Sequence, residues 1–170
     1  MPKTANQPKI TIVTPVFNGL EHTLAFLESL QKVDYKNFDV IIVDMGSDGT
    51  DKVIAKEYPK TIVLKAGNIF WSGGTNVGVK EAIKRGTDYI FTINNDVTLH
   101  QDIFKNLIKA AQAEGKSLIG CKIYYMNDHD RVWYFGGELD ARIADVRMHN
   151  GRNEDFPNRQ ETGVLTGMGV

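Results

Sequence analysis

Polar side chains that could bind an anion or a metal ion stand directly after two apolar runs of this sequence. Asp44 ends the run Phe-Asp-Val-Ile-Ile-Val, and Asn94, Asn95 and Asp96 follow the run Tyr-Ile-Phe-Thr-Ile. The Asp44 carboxylate could accept hydrogen bonds from a ribose hydroxyl or a base N–H, or from the amides of its own turn. Asp96 offers one hard oxygen, which suits Mg²⁺ or Mn²⁺ held mainly by ligand phosphates, although Asn-Asn-Asp is also ordinary turn chemistry.

A glycine-rich stretch over residues 67–78 offers a second kind of binding chemistry. Gly73, Gly74 and Gly78 flank a predicted helix start, where backbone amides and the helix dipole favour a diphosphate. Phe70 and Trp71 lie inside the same stretch, and their rings either pack beneath the loop or face a ligand. The stretch therefore predicts an anion site beside two aromatic rings.

Predicted strands and helices alternate along the chain and must position these groups. The runs predict strands over residues 10–13, 38–43, 61–64, 89–93 and 117–123, and three-to-four spacing predicts four helices between them. Asn18 is predicted to cap the first helix, and Gly86 and Gly115 to end the third and fourth. This order predicts an α/β fold with a mostly parallel sheet flanked by helices, whose ligands bind at the carboxyl ends of the strands.

The regular alternation stops near residue 124. Short candidate strands over residues 132–135, 142–147 and 164–166 lie among Gly, Asn and Asp, which predicts an irregular α+β C-terminal extension. Trp133, Tyr134 and Phe135 precede Gly136 and Gly137. These rings form either a platform for an acceptor or a local core.

Composition bounds the class of protein. The 170 residues are 42% hydrophobic with a net charge of −1, which predicts one soluble domain and no global field to attract nucleic acid. A single cysteine, Cys121, excludes an internal disulfide and a four-cysteine zinc site and favours a reducing compartment, so we expect a cytoplasmic protein. No apolar run approaches the roughly 18 residues of a membrane span.

Three nucleotide-binding classes lack their motifs in this sequence. A dinucleotide-binding domain needs G-x-G-x-x-G after the first strand, where Pro15 and Phe17 stand instead. The phosphate-loop pattern G-x-x-x-x-G-K-[ST] is absent, and the first strand has no acidic pair of the receiver type after it. A different nucleotide-binding arrangement is therefore predicted.

Five motifs in order resemble the inverting family-2 glycosyltransferases of the GT-A fold, a Rossmann-like fold. The resemblance covers residues 9–170 and is closest to the branch that includes rhamnosyl- and galactofuranosyltransferases of bacterial polysaccharide biosynthesis. The motifs are Ile-Val-Thr-Pro-Val-Phe-Asn (12–18), Ile-Val-Asp-Met-Gly-Ser-Asp-Gly-Thr (42–50), Asn68 with Gly-Gly-Thr-Asn-Val-Gly (73–78), Ile-Asn-Asn-Asp (93–96) and Thr166-Gly167.

The resemblance implies roles for individual residues. Asn95 would lie near the donor sugar, Asp96 would bind the divalent cation, Mg²⁺ or Mn²⁺, and Trp133 with Gly137 would contact the acceptor. The residues implied in nucleotide binding are Thr14, Pro15, Val16, Asn18, Asp44, Ser47, Asn68, Gly74, Asn76 and Asn94. Two positions depart from the family pattern: Asn94 replaces the first Asp of Asp-x-Asp, and the loop is one residue short between Ser47 and Asp48.

The resemblance also implies an activity and a domain organisation. A sugar would pass from a UDP- or dTDP-sugar to a glycan or lipid-linked acceptor with inversion. Residues 1–8 would be a flexible N-terminus, 9–124 the nucleotide-sugar-binding core, and 125–170 an incomplete start of the acceptor-side part. The acids of this chain do not fall in the family's base motif, so we expect the catalytic base beyond Val170. A fragment of a longer protein and a naturally short chain both fit.

Two other functions stay open at the level of sequence. One is a catalytically inactive nucleotide-binding or scaffold module. The other is a sugar-nucleotidyltransferase, which would need a basic glycine-rich loop after the first strand that this chain lacks. An incomplete fold would expose apolar surface and favour self-association, and a lipid-linked acceptor would place the protein at the inner face of the membrane.

Overall fold

A computed structural model describes residues 7–115, 118–143, 145–158 and 160–166. The chain divides into two compact units, the first ending at Ala110 and the second beginning at Ala111. Each unit is described by itself. The functional division after residue 124 stays a prediction.

Strands and helices alternate from residue 10 to residue 114. Their bounds are β1 Ile10–Val16, α1 Leu20–Gln31, β2 Phe38–Asp44, α2 Thr50–Glu57, β3 Ile62–Lys65, α3 Phe70–Lys84, β4 Tyr89–Thr92 and α4 Ile103–Glu114. The four strands form a parallel sheet in the order β3-β2-β1-β4. The predicted α/β fold is therefore confirmed. No helix in the described part of the chain is long and apolar enough to cross a membrane.

The two central strands are buried along nearly their whole length. Ile12, Val13, Ile41 and Val43 have no exposed surface, because helices cover both faces of a parallel sheet. This is why the apolar runs in these strands are continuous rather than alternating. Burying one such aliphatic side chain contributes about 1.5–3 kcal/mol, so the two strands form the main core of the first unit.

Pro15 is the second-last residue of β1, and its missing N–H leaves no ladder acceptor unpaired. The Val13 carbonyl accepts a hydrogen bond from Ile93 N on the β4 side, and the Val16 carbonyl accepts one from Met45 N on the β2 side. Because successive residues of a parallel strand bond to alternate neighbours, Pro15 faces the β4 side. The pairing of β1 with β4 has already ended there. A residue without an N–H is therefore tolerated in a central strand.

Two glycines let α3 approach the sheet closely. A Cβ added at Gly78 would lie 2.3 Å from Val13 Cγ1, and one added at Gly74 would lie 2.9 Å from Pro15 Cβ and 3.0 Å from Met45 Sδ. Real Cβ atoms do not approach other atoms this closely, so any side chain at either position would push α3 away. The glycines thus set the separation between α3 and β1.

An aromatic cluster forms a second part of this core. Phe104 of α4 lies with its ring centroid 5.3 Å from Phe91, 5.9 Å from Phe38 and 6.2 Å from Tyr35. Two of these pairs meet edge to face, the arrangement that the ring quadrupole favours. The cluster anchors the start of α4 to β2 and β4.

The second unit consists of small antiparallel sheets. Its elements are β5 Ile123–Tyr125, β6 Asp128–Tyr134, β7 Gly137–Asp140, β8 Asp145–Met148, β9 Gly151–Arg152 and a 3₁₀ turn Asn153–Asp155. One sheet has the order β5-β6-β9, and the other pairs β7 with β8. Val132 and Tyr134 are buried on one face of β6, and the Tyr134 hydroxyl donates to the Val164 carbonyl at 2.6 Å. The irregular C-terminal extension is confirmed.

Several predicted boundaries are wrong. The run 117–123 is not a fifth parallel strand: Ser117 lies outside the described residues, 118–122 are not strand, and Ile123 begins β5, which pairs antiparallel with β6. The predicted strand 142–147 is a turn at 141–143 followed by β8, and 164–166 form no strand. Strand formation needs a paired neighbour, which a short apolar run does not reveal.

The helix ends were partly predicted. Gly86 and Gly115 follow α3 and α4 with positive φ, as expected for C-terminal glycines. Asn18 does not cap α1, whose N-cap is Gly19 without a side-chain hydrogen bond. The Asn18 side chain is used elsewhere, because its Oδ1 accepts a hydrogen bond from Ser47 N at 2.8 Å.

Replacing Gly78 by Ala should destabilise the first unit. The new methyl group would lie 2.3 Å from Cγ1 of the buried Val13, and so severe an overlap should cost about 2–3 kcal/mol, the upper part of the usual range for overpacking. Alanine regains roughly 1 kcal/mol of helix propensity over glycine, so the net free energy of unfolding should fall. Urea denaturation followed by circular dichroism measures it. Gly67→Ala is the control, since a Cβ there meets no atom within 4 Å. Equal stability of Gly78→Ala and wild type would contradict the close approach.

Candidate functional site

The loops after the four parallel strands lie along one edge of the sheet, which we call the carboxyl edge. They comprise residues 17–19 after β1, 45–49 after β2, 66–69 after β3 and 93–96 after β4. The strands are parallel and adjacent, so their carboxyl ends meet at the same edge. Most of the residues predicted to bind a nucleotide lie in these loops or in the last residues of the strands.

Asp44 is a fully buried carboxylate at the end of β2. Its Oδ1 accepts a hydrogen bond from Gly46 N at 2.8 Å. Its Oδ2 accepts one from Lys65 Nζ at 2.8 Å and one from Asp51 N, in the first turn of α2, at 3.2 Å. A buried charge needs such partners, because its desolvation is otherwise very costly. Asp44 therefore joins β2, β3 and α2. The bond from Gly46 N is the turn contact that the sequence predicted. A contact of Asp44 with ribose or base stays a prediction.

Lys65 is a member of this arrangement that the sequence reasoning missed. Its ammonium also donates to the Gly46 carbonyl at 2.7 Å and lies 3.7 Å from Asp51 Oδ1. The hydrogen bond to Asp44 favours the charged ammonium and raises the pKa of Lys65 above its ordinary value. The available signal was a lone basic residue at the end of an apolar strand, on the same sheet edge as the carboxylate.

The loops after β1 and β2 are tied together by Asn18. Asn18 has a φ of 50°, and its side chain accepts the hydrogen bond from Ser47 N. A Cβ at Gly46 would lie 2.5 Å from Asn18 Oδ1 and 2.6 Å from Asn18 N, so the two loops touch through the bare backbone of Gly46. Asn18 and Ser47, both exposed, are thus brought together as predicted members of one site.

Asp48 shapes the start of α2. Its Oδ1 accepts hydrogen bonds from Thr50 Oγ1 at 2.7 Å and from Thr50 N at 3.2 Å. The bond from the Thr50 hydroxyl is the main cause that lowers the pKa of Asp48. This carboxylate therefore organises the loop after β2.

The end of β1 contributes mostly backbone to the carboxyl edge. Thr14, Pro15 and Val16 are buried, and Pro15 lies against Gly74 of α3. The Thr14 hydroxyl has no hydrogen-bond partner among the described residues. An orphaned buried hydroxyl is uncommon in folded proteins, and this one lies within the predicted nucleotide pocket.

Of the three polar residues after β4, Asn94 and Asn95 form side-chain hydrogen bonds within the protein, whereas Asp96 forms none with the described residues. Asn94 Oδ1 accepts a hydrogen bond from the Trp71 indole N–H at 2.7 Å. Asn95 Nδ2 donates to Thr23 Oγ1 at 2.9 Å and to the Gly19 carbonyl at 3.3 Å, which ties it to the start of α1. Asp96 is exposed and has no hydrogen bond or ion pair with another described residue.

A divalent cation fits this arrangement when substrate phosphates supply the rest of its ligands. Within the described ranges, no group of three or more His, Cys, Asp or Glu side chains could hold a metal ion. Mg²⁺ and Mn²⁺ commonly bind through one or two carboxylates together with substrate phosphates. The free carboxylate of Asp96 meets that requirement, whereas Asn94 already uses its side-chain oxygen. We therefore expect Asp96 to hold a cation only when phosphates are present.

Residues 70–78 of the glycine-rich stretch are helical, so the predicted helix start between the glycines is wrong. Gly73, Gly74 and Gly78 lie inside α3, which begins at Phe70, so their first role is close packing on the sheet. Phe70 has a φ of 59°, and its N–H donates to Asn68 Oδ1 at 3.2 Å. Phe70 is 78% exposed, so of the two alternatives it does not pack beneath the loop. A bulky residue with positive φ is strained, and such strain concentrates at functional sites.

Three further predicted site residues lie in α3 or in the second unit. Asn76 is exposed in the second turn of α3. Trp133 is half-buried and Gly137 is buried, and both belong to the second unit. Gly137 N donates to Thr162 Oγ1 at 2.7 Å, so it is held by local structure. Tyr134 is almost fully buried, which supports the local-core interpretation for that ring.

Comparison with known proteins identifies the family. A family profile described as "Glycosyl transferase family 2" matches residues 11–167, which is most of the chain. The chain belongs to glycosyl transferase family 2. Among curated relatives of this family-2 chain, EpsJ of Bacillus subtilis, an uncharacterized glycosyltransferase, is 27% identical over 138 residues, covering 79% of the chain and 39% of EpsJ. The amylovoran biosynthesis glycosyltransferase AmsB of Erwinia amylovora is 31% identical over 114 residues, covering 62% of the chain and 37% of AmsB.

Solved structures confirm the GT-A-like fold of the family-2 chain. The mannosyltransferase PcManGT from Pyrobaculum calidifontis, in complex with GDP-Man and Mn²⁺, matches with a TM-score of 0.58 and 17% identity, covering 74% of this chain and 38% of that one. S. aureus TarS in complex with UDP-GlcNAc matches with a TM-score of 0.53 and 19% identity, covering 79% and 42%. The family-2 chain therefore spans about two fifths of the length of EpsJ and of these structures.

Replacing Asp44 by Asn should destabilise the family-2 chain. The amide keeps the shape but loses the charge that Lys65 faces, and its NH₂ group cannot accept the bonds from Lys65 and Asp51. We expect a loss of about 1–3 kcal/mol, the usual cost of unsatisfied buried groups. Asp39→Asn is the matched control in the same strand, since the Asp39 pair with Lys9 is partly exposed and should matter by about 1 kcal/mol or less. Equal urea midpoints of the two variants would show that the buried carboxylate is dispensable.

Proposed function

We propose that the chain is the donor-binding part of a glycosyltransferase that takes a sugar from a nucleoside diphosphate sugar. The observation that carries the proposal is the free carboxylate of Asp96 at the carboxyl edge of a family-2 sheet. Family membership supports a glycosyltransferase, and the complexes named above support the class of donor, because PcManGT binds GDP-Man and TarS binds UDP-GlcNAc. The donor proposed for this chain is a UDP- or dTDP-sugar.

The nucleoside would lie over the loops after β1 and β2. Asn18 and Ser47 present exposed polar groups there, and Thr14, Pro15 and Val16 would form the floor. Asp44 would act chiefly by holding Gly46 and Ser47 in place, because its oxygens already accept three protein hydrogen bonds. A direct bond from Asp44 to ribose or base would need Lys65 to move aside.

The diphosphate and sugar would lie toward α3 and the loop after β4. The first turn of α3 after Phe70 offers backbone N–H groups that precede the helical hydrogen-bond ladder and a positive dipole end, beside Asn68, Gly74 and the exposed Asn76. Asn94 would donate its amide N–H groups, since its oxygen accepts from Trp71, and Asn95 would lie near the sugar. A cation bound with Asp96 would neutralise charge that develops on the departing diphosphate.

The acceptor and the stereochemistry rest on the family resemblance. We propose a glycan or lipid-linked acceptor, inversion at the anomeric carbon, and kinship with the rhamnosyl and galactofuranosyl branch. An inverting transfer needs a general base that removes the proton of the attacking hydroxyl. No residue of this chain is assigned to that role, and a base beyond Val170 stays a prediction. A cytoplasmic site of action and Mg²⁺ or Mn²⁺ as the cation belong to the same proposal.

Calorimetric titration of the chain with UDP, dTDP and GDP, with and without Mn²⁺, tests donor binding. We expect binding of UDP or dTDP that Mn²⁺ strengthens about tenfold, or ~1.4 kcal/mol. Asp96→Asn should keep the metal-free binding and lose the strengthening by Mn²⁺. Asp34→Asn, which removes an exposed carboxylate before β2, should retain it. Absence of nucleotide binding under both conditions would refute the proposal.

Replacing Trp71 by Phe should weaken nucleotide binding several-fold while the fold is retained. The phenyl ring keeps most of the apolar contact but loses the N–H that orients Asn94, whose amide can then turn its oxygen toward the phosphates. The same calorimetric titration measures the effect. Trp133→Phe serves as the control, because it is the same substitution at a residue assigned to the acceptor rather than to the nucleotide. Unchanged affinity in Trp71→Phe would mean that the hydrogen bond does not position Asn94 for the ligand.

A further inference from the structure

Two arginines face each other across the sheet of the second unit. Arg131 of β6 pairs directly with Arg152 of β9 in the antiparallel register. Both are exposed, and neither forms an ion pair with another residue of the described ranges. Like charges directly opposite on paired strands destabilise a sheet. The neighbouring sheet shows the usual arrangement, since Arg147 of β8 lies opposite Glu138 of β7.

The two arginines line a cleft of the second unit. Asp128, Arg131, Gly151 and Arg152 line a cleft of about 250 Å³. The Arg131 guanidinium lies 4.9 Å from the centroid of the Tyr125 ring, a cation–π contact that holds it over the sheet. The arginine is therefore held in place although it lacks an anionic partner.

The cleft combines groups of both charges. Asp128 and Arg131 of β6 are exposed, whereas Val132 and Tyr134 are buried. Asp128 lines the same cleft as Arg131 and Arg152. A carboxylate accepts hydrogen bonds from sugar hydroxyl groups, and paired guanidinium groups bind carboxylate or phosphate.

We infer that this cleft binds a glycan that carries an anionic group, either the carboxylate of an acidic sugar or a phosphate. The inference rests on the proposed function, in which it names the class of the acceptor. Arg131 and Arg152 bind the anion, and Asp128 accepts a hydrogen bond from a sugar hydroxyl. The cleft is smaller than the roughly 300–1,000 Å³ of pockets for drug-sized ligands, so it accommodates about one sugar residue of a longer chain.

Nuclear magnetic resonance titration of the full chain tests this inference. The probes are a trisaccharide of galacturonic acid, galactose 1-phosphate and a neutral trisaccharide of galactose. We expect the amide signals of Arg131 and Gly151 to shift with an anionic probe, and its affinity to exceed that of the neutral trisaccharide about tenfold at low salt. Raised salt should reduce the difference, because exposed charges are screened. The stronger of the two anionic probes identifies carboxylate or phosphate as the recognised group.

Matched variants separate this site from general surface charge. Arg131→Gln and Arg152→Gln should each remove most of the preference for the anionic probe without lowering the urea midpoint, since each relieves the repulsion between the arginines. Arg147→Gln is the control and should leave the preference intact. Equal affinity for anionic and neutral probes, or an equal loss in Arg147→Gln, would overturn the inference. All three variants should bind UDP as wild type does, so failed donor binding remains distinguishable from failure here.

Discussion

The buried carboxylate of Asp44 is the interaction on which the carboxyl edge of the first unit depends. A charge without exposed surface is stable only when donors surround it, and the donors come from three successive elements: Gly46 after β2, Asp51 at the start of α2 and Lys65 at the end of β3. These bonds place the backbone at Gly46 and Ser47, which in turn meets Asn18 after β1. One charge therefore sets the positions of the first two loops.

The close approach of α3 is the second constraint on the same edge. Gly74 and Gly78 bring the helix against β1 and β2, which puts its first turn over the ends of those strands. Phe70 keeps a positive φ at the helix start, and Trp71 reaches the loop after β4 through Asn94. Packing by glycine and binding by helix amides are compatible, because a helix that approaches the sheet closely also presents its first N–H groups to the crevice.

The residues that the fold brings together are far apart along the chain. Lys65 is 21 positions from Asp44, and Trp71 is 23 positions from Asn94. No local pattern distinguishes a lysine that neutralises a buried carboxylate from one that ends a strand in solvent. Asn18 shows the same limit, since its residue type suits a helix cap equally well, and only the neighbouring Ser47 amide decides its role. The second unit was predicted least well, because its short strands are defined by antiparallel partners rather than by their own composition.

The α/β class, four of the five predicted strands of the parallel sheet and the family could be predicted from the sequence, because continuous apolar runs and motifs at strand ends are local properties of the chain. Asp96 could also be predicted as a candidate metal ligand, because a carboxylate directly after an apolar run is visible in the sequence. Three contacts became visible only in the folded chain: Asp44 is paired with Lys65, the glycines of α3 pack against Val13 and Pro15, and Arg131 lies opposite Arg152. Each of these depends on which segments become neighbours, and that is settled by burial and strand register rather than by residue type.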